Sequence, residues 1–196
     1  MTGTASIRGI VRVPGDKSIS HRSLILAALS DGTSHIRGLL RSADVDSTAA
    51  VLSALGVRIE PDGDSIAVHG RGLRGLLIPK RPLDCGNSGT TARLMAGVLA
   101  AHPFDSTLIG DASLSRRPMR RVTEPLGQMG AHFTMDAGGD GLPLTIHGGT
   151  LASIGWHSRT ASAQVKSAIL LAALNAQVGA DVTEPTRSRD HTERML

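Results

Sequence analysis

The sequence predicts an α/β fold made of repeated units, each a helix, a strand, a helix and two strands, packed around helices buried inside the domain. Three observations carry this. One order of apolar runs and turns recurs three times along the 196 residues. The first helix of each recurrence is apolar almost all round, as a helix without a solvent face must be. Glycine stands where the second helices stop, and Asp-Gly or Gly-rich turns separate the paired strands.

The first unit begins at residues 24–29, LILAAL, followed by a turn at Asp31-Gly32 and a short strand near Ile36. A helix over residues 46–55, closed by Gly56, leads to strands at 57–60 and 65–68 around Asp62-Gly63. The second unit repeats this with 93–99, a break at Pro103, a strand at 106–109 and a helix from about Pro118 to Met129 closed by Gly130. Its hairpin spans 131–134 and 142–146, and His69-Gly70 is echoed by His147-Gly148. The third unit has a helix at 168–174, a strand at 180–183 and a second helix starting at Asp190. Leu196 corresponds to Leu126, so the third unit is expected to be incomplete, with an uncovered sheet edge.

Composition sets the limits. Apolar residues are 40% and charged residues 19% of the chain, enough for a real core and against disorder. With no Tyr and only Phe104, Phe133 and Trp156 as aromatics, that core must be aliphatic. The net charge of +4 favours anionic partners. Nucleic acid is disfavoured, because the basic residues are scattered and bases would find almost no aromatic surface to stack on. A single cysteine, Cys85, excludes an internal disulfide and a cysteine metal cage, and no apolar run reaches the ~18 residues of a membrane span. A cytoplasmic chain is expected.

The stretches that carry chemistry precede the buried helices. They are Pro14-Gly15-Asp16-Lys17-Ser18-Ile19-Ser20-His21-Arg22, Cys85-Gly86-Asn87-Ser88-Gly89-Thr90-Thr91-Ala92-Arg93, and Thr160-Ala161-Ser162-Ala163-Gln164-Val165-Lys166. Free N–H groups and the positive end of the helix dipole suit such starts to phosphate or carboxylate. Ser, Asn and Thr there are also ordinary caps. Lys17 and Arg22 are the informative residues, since dipole logic places cations at the opposite end of a helix. One helix end gives at most about 2 kcal/mol, against about 8 for micromolar binding, so several starts must converge.

Other signals are weaker. Residues 70–75 contain GxGxxG, but Pro79 and Pro82 follow where a dinucleotide site needs a helix. Gly15-Asp16-Lys17-Ser18 lacks the order of a nucleotide phosphate loop. His35, His69, His102, His132 and His147 show no metal-ligand spacing and are assigned to turns and surfaces. Cys85 reads as a small buried hydrophobe, and the four arginines among residues 116–121 as a solvated helix start that also invites an anion.

Together these stretches, with Arg117-Pro118-Met119 and Arg189-Asp190-His191-Thr192-Glu193, resemble the 5-enolpyruvylshikimate-3-phosphate synthase family along the whole chain. The resemblance implies two domains, each built from three βαβαββ units. Residues 1–13 would be a strand of the lower domain, and 14–196 the upper, substrate-binding domain, truncated in its third unit. It implies transfer of the enolpyruvyl group of phosphoenolpyruvate to the 5-hydroxyl of shikimate 3-phosphate, releasing phosphate, with no metal and no organic cofactor. Lys17, Ser18, Arg22, Ser162, Ala163, Gln164, Ser188 and Arg189 would hold shikimate 3-phosphate. Lys17, the one catalytic candidate, would also reach phosphoenolpyruvate, held by Gly89, Arg117 and Gln164.

The family's acid and base residues lie in its C-terminal half, outside this sequence. Hence the expectation of weak anion binding without turnover by the chain alone. A non-catalytic module for anionic metabolites, or one half of a split enzyme with a separately encoded C-terminal half, is the alternative. UDP-N-acetylglucosamine enolpyruvyl transferase, with the same fold, fits less well: its first motif has Asn after Lys, where this chain has Ser18, and Cys85 does not fall at its reactive cysteine. For glyphosate the signals oppose one another, since Ala at the position of Gly89 accompanies tolerance while Ser-Ala-Gln resembles a branch where tolerance is common.

Overall fold

A computed structural model of the chain describes residues 8–11, 13–135 and 139–196. The first unit comprises α1 (Lys17–Leu29), β1 (Thr33–Arg37), α2 (Ala43–Ala54), β2 (Arg58–Asp62) and β3 (Ser65–His69). The second comprises β4 (Leu83–Asp84), α3 (Gly89–Ala100), β5 (Asp105–Ile109), α4 (Ala112–Ser115), α5 (Arg120–Gln128), β6 (His132–Met135) and β7 (Leu144–His147). The third comprises β8 (Ile154–His157), α6 (Ala163–Ala176), β9 (Ala180–Thr183) and α7 (His191–Met195). Most of the strand expected over residues 1–13 lies outside the described residues; 8–11 and 13 are in neither helix nor strand.

Each unit forms its own small sheet. The orders are β1-β3-β2, β4-β5-β7-β6 and β8-β9. β1 and β5 take equivalent places, each antiparallel to the second strand of its hairpin, β3 or β7. β4 and β8 run parallel to β5 and β9 and lead their units, completing βαβαββ in the second. Neither leading strand was legible in the sequence. β4 is two residues long and exists only through its pairing with β5, as Pro79 and Pro82 leave little room for an independent strand pattern.

The second helices end as expected: Gly56 and Gly130 adopt φ of 88° and 106°, which residues with a Cβ rarely adopt. The hairpin turn of the first unit is Gly63-Asp64, one residue later than expected, because Asp62 pairs with Ser65 as the last rung of the ladder. α5 starts at Arg120 rather than Pro118, with Met119 as its capping residue. After β3 the chain holds no helix until α3, so the GxGxxG pattern has no dinucleotide geometry.

The core is aliphatic and lies between the helices and the inner faces of the sheets. Leu24, Ile25, Leu52, Leu94, Met95, Leu99, Leu108 and Leu126 are fully buried. α3 is buried along nearly its whole length, and at Gly97 its backbone touches α6 so closely that a Cβ would stand 2.2 Å from the Ala168 carbonyl oxygen. This contact brings the starts of two central helices to the same end of the domain. His102 corrects one expectation: it is fully buried behind α3, its Nδ1 2.9 Å from the Val98 carbonyl and its ring tilted against Phe104. His35, His69, His132 and His147 sit in strands rather than turns.

Candidate functional site

All three central helices start on a side-chain cap. Asp16 Oδ1 accepts from the Ile19 N–H at 2.8 Å, Ser88 Oγ from Thr91 at 3.2 Å and Ser162 Oγ from Val165 at 3.4 Å. Each capping residue is extended, so the chain turns into the helix there. The caps take one N–H of each first turn, and the dipole still favours negative charge at these ends.

Two cationic clusters form around them. In the first, Arg22 joins α1 to α6 and α7. Its Nε donates to Thr192 Oγ1 at 2.7 Å, Nη2 to Ser167 Oγ at 2.6 Å and Nη1 to the Ser18 carbonyl at 2.9 Å. Burial lowers its pKa, opposed by the nearby Glu193 carboxylate. Arg189 donates to Ser18 Oγ at 2.9 Å, bringing two sequence-expected residues 171 positions apart into contact. Lys17, half-exposed, is ion-paired with Asp44 at the start of α2. Ser162 and Ser188 meet on Glu184, which accepts from the Ser162 N–H at 2.7 Å and the Ser188 hydroxyl at 2.6 Å.

In the second cluster, Arg93 donates to Gln164 Oε1 at 3.1 Å and to the Gly89 carbonyl at 3.3 Å, while Gln164 Nε2 donates to Thr90 at 2.9 Å. The starts of α3 and α6 are thereby tied together. Arg117 reaches the same place, donating to Asn87 Oδ1 at 2.5 Å. Gly89 is the close-packed point: a Cβ would lie 2.6 Å from Arg93 Nη1 and 3.5 Å from Arg117 Nη1. Burial pushes the Arg93 guanidinium down to about 10, with the charges of Arg121 and Arg117 adding to the effect. Among the described residues neither Arg93 nor Arg117 has a carboxylate partner within salt-bridge distance, and Arg93 Nε is buried without an acceptor. Cations assembled without a salt-bridged carboxylate make a place where an anion is electrostatically favoured, although Asp111, its pKa lowered first by the hydrogen bond from Asn87, lies near enough to Arg117 for that charge to lower it further.

The structure thus groups Ser18, Arg22 and Arg189 directly, Ser162 and Ser188 through Glu184, and Gly89 and Gln164 through Arg93, with Arg117 held beside Gly89 by Asn87. Ala163 is the first residue of α6, beside both clusters. Lys17 adjoins the second cluster through Asp44, whose carbonyl accepts from Thr91 at 3.3 Å.

Two networks escaped the sequence. Lys166, nearly buried, sits 3.0 Å from Glu184 and 2.7 Å from Glu193. Burial would lower the Lys166 pKa, but its bonds to the two glutamates outweigh that and raise it. A charged residue in an otherwise apolar helix was the available signal. The second is a buried chain, His21 Nδ1–Thr48–Thr91–Ser88, each link 2.7 Å long, joining α1, α2 and α3. Burial pushes His21 down to about 4, with Lys17 and Arg22 adding to it. Cys85 is fully buried and its thiol is raised to about 12 by burial and Asp84, so it is no nucleophile.

Fold and site define a repeat-built α/β domain with two adjoining cationic clusters at the starts of its central helices. The EPSP synthase (3-phosphoshikimate 1-carboxyvinyltransferase) family matches residues 1–196, and the chain belongs to that family. It is 58% identical over 193 residues to a 3-phosphoshikimate 1-carboxyvinyltransferase from Halorhodospira halophila, covering 97% of this chain and 43% of that protein. It is 52% identical over 192 residues to the one from Bacillus licheniformis, covering 98% and 45%. Among solved structures it is similar to EPSP synthase from Acinetobacter baumannii, with a TM-score of 0.92 at 47% identity over 96% of this chain and 43% of that one. The chain spans somewhat under half the length of the relatives it matches. No helix among the described residues is long and apolar enough to cross a membrane.

Proposed function

We propose that this chain is the N-terminal, substrate-binding part of a cytoplasmic enzyme that transfers the enolpyruvyl group of phosphoenolpyruvate to the 5-hydroxyl of shikimate 3-phosphate, on the route to chorismate and the aromatic amino acids. The observation that carries this is the assembly of two cationic clusters at one end of the domain from residues far apart in sequence. The α1–α6–α7 cluster, with Lys17, Ser18, Arg22, Ser162, Ala163, Gln164, Ser188 and Arg189, is assigned to shikimate 3-phosphate. The α3–α6 cluster, with Gly89, Arg117 and Gln164, is assigned to phosphoenolpyruvate, with Lys17 between the two.

The division suits the chemistry. Arginine presents a planar fork to phosphate and carboxylate, and lysine a mobile point charge. Lys17 is the proposed catalytic group: half-exposed and, among the described residues, bound only to Asp44, it can exchange that carboxylate for the phosphate that leaves C2 of the enolpyruvyl donor. The attack of the 5-hydroxyl also needs a positioned acid and base, which we assign to the remainder of the enzyme.

Residues 1–13 are proposed as a strand of a second domain and 14–196 as the upper domain. Support comes from Ile10, Val11 and Val13, apolar side chains that are 80–94% exposed here and so suited to cover elsewhere. A second domain continuing the chain, or a separately encoded C-terminal half, would be the partner.

Calorimetric titration of the chain with shikimate 3-phosphate, with and without phosphoenolpyruvate, tests the assignment. Saturable binding is expected, weakened about tenfold or more in Lys17→Ala, the scale of one charge-assisted hydrogen bond. A folded chain that binds neither ligand would remove the proposal.

A further inference from the structure

The start of α6 already holds an anion that belongs to the chain itself. Glu184, the residue after β9, accepts the Ser162 N–H at 2.7 Å through Oε1 and the Ser188 hydroxyl at 2.6 Å through Oε2. Lys166 Nζ lies 3.0 Å from the same Oε2, and the Glu184 side chain is only 8% exposed. Three donors around a buried carboxylate at a helix start form a built anion site with an internal occupant.

A hydroxyl has one proton and a backbone N–H has one. Those of Ser188 and Ser162 are committed to Glu184, whereas a phosphate monoester dianion only accepts. A ligand phosphate that takes the Ser188 hydroxyl or the Ser162 N–H must therefore displace Glu184 from it; the Ser162 hydroxyl, whose oxygen accepts from Val165, still has its own proton to give. Lys166 makes that exchange feasible: Glu193 stands 2.7 Å from its ammonium, so movement of Glu184 strands no buried cation.

We propose that Glu184 is a specificity-determining residue of the phosphate subsite, an internal carboxylate that competes with the ligand for Ser162 and Ser188. This rests on the functional assignment above. A tethered carboxylate acts at high effective concentration, so a free carboxylate gains nothing by replacing it. A phosphate dianion does, bringing more charge and more oxygens to the same donors. The subsite therefore selects phosphate monoesters over carboxylates.

The test uses the 196-residue chain and its Glu184→Gln variant, titrated with shikimate 3-phosphate and with shikimate. In the variant the phosphorylated ligand binds about tenfold more tightly, equivalent to roughly 1.4 kcal/mol, while shikimate affinity stays within about twofold by the same measure. Should Glu184→Gln fail to fold, Glu184→Asp, which keeps the charge but shortens its reach, gives a smaller gain for the phosphorylated ligand alone. Weaker binding of shikimate 3-phosphate by a folded variant, no change, or an equal change for both ligands overturns the inference. A parent chain that binds neither ligand refutes the functional assignment and this inference with it; a parent that binds while its variant does not tighten refutes this inference alone.

Discussion

Replacing Gly97 by Ala tests the contact on which the site's geometry depends. The new methyl would lie 2.2 Å from the Ala168 carbonyl oxygen and 2.8 Å from the carbon behind it, all backbone that cannot rotate away. A comfortable C···O contact is roughly 3.3–3.6 Å, so α3 and α6 must separate by about 1 Å. A gap of that size forfeits a quarter to a half of the dispersion attraction across the interface. Overpacking of this kind costs typically 1–3 kcal/mol, offset by about 1 kcal/mol because alanine favours the helix. At the middle of that range the net expectation is a loss of about 1 kcal/mol, or a melting temperature lower by about 2–4 °C for a chain of this size. Urea unfolding followed by circular dichroism measures it. The separation also opens the helix starts, where Arg93 and Gln164 are 3.1 Å apart, so anion binding weakens as well. A Gly97→Ala chain as stable as the parent would show that the α3–α6 contact is not under the constraint described here.

Gly89→Ala places a methyl 2.6 Å from Arg93 Nη1, so the guanidinium must move off Gln164. Phosphoenolpyruvate binding is expected to fall about tenfold or more, on the scale of a charge-assisted hydrogen bond, with stability unchanged or slightly raised; calorimetry and a thermal melt read the two separately. Acid destabilisation has a defined sign. The His21 imidazole is held at about 4 by burial, against the ordinary 6.5 of a solvated histidine. The unfolded chain thus binds more protons between these values, and stability is complete above pH 6.5 and falls as pH drops towards 4. The loss from this group at pH 5 is about 2 kcal/mol, and buried His102, also lowered, adds in the same direction. Urea titrations at pH 7.5 and 5 should show it, and a His21→Asn variant should lose most of the difference. Cys85, with its thiol at about 12, should resist iodoacetamide at pH 8 in the folded chain and react once urea unfolds it; rapid labelling of the native chain would contradict its burial.

The sequence announced much of the fold because its signals are local. Helix starts could be read from Ser88 and Ser162, as each cap bonds to the N–H three residues on; Asp16 does the same for α1, a role seen only in the structure. Helix stops could be read from Gly56 and Gly130, where a positive φ is needed. Aliphatic runs without a polar face announced the central helices, and comparison of one unit with the next announced the repeat. The elements that were missed, β4, β8 and α4, are two to four residues long and take their form from neighbours rather than from their own pattern.

The candidate site divides in the same way. The residue types at the helix starts, and Lys17 and Arg22 against the dipole, were determined by the sequence alone, since dipoles and caps act within one turn. Tertiary structure decided which of them meet: Arg189 on Ser18, Arg93 on Gln164, Ser162 and Ser188 on a common carboxylate. It also enlisted Glu184 and Thr48, which belong to no motif, as partners of Lys166 and Thr91. The physical reason is that a buried polar group must find a partner wherever packing brings one within about 3 Å, and no local pattern records which distant residue that will be.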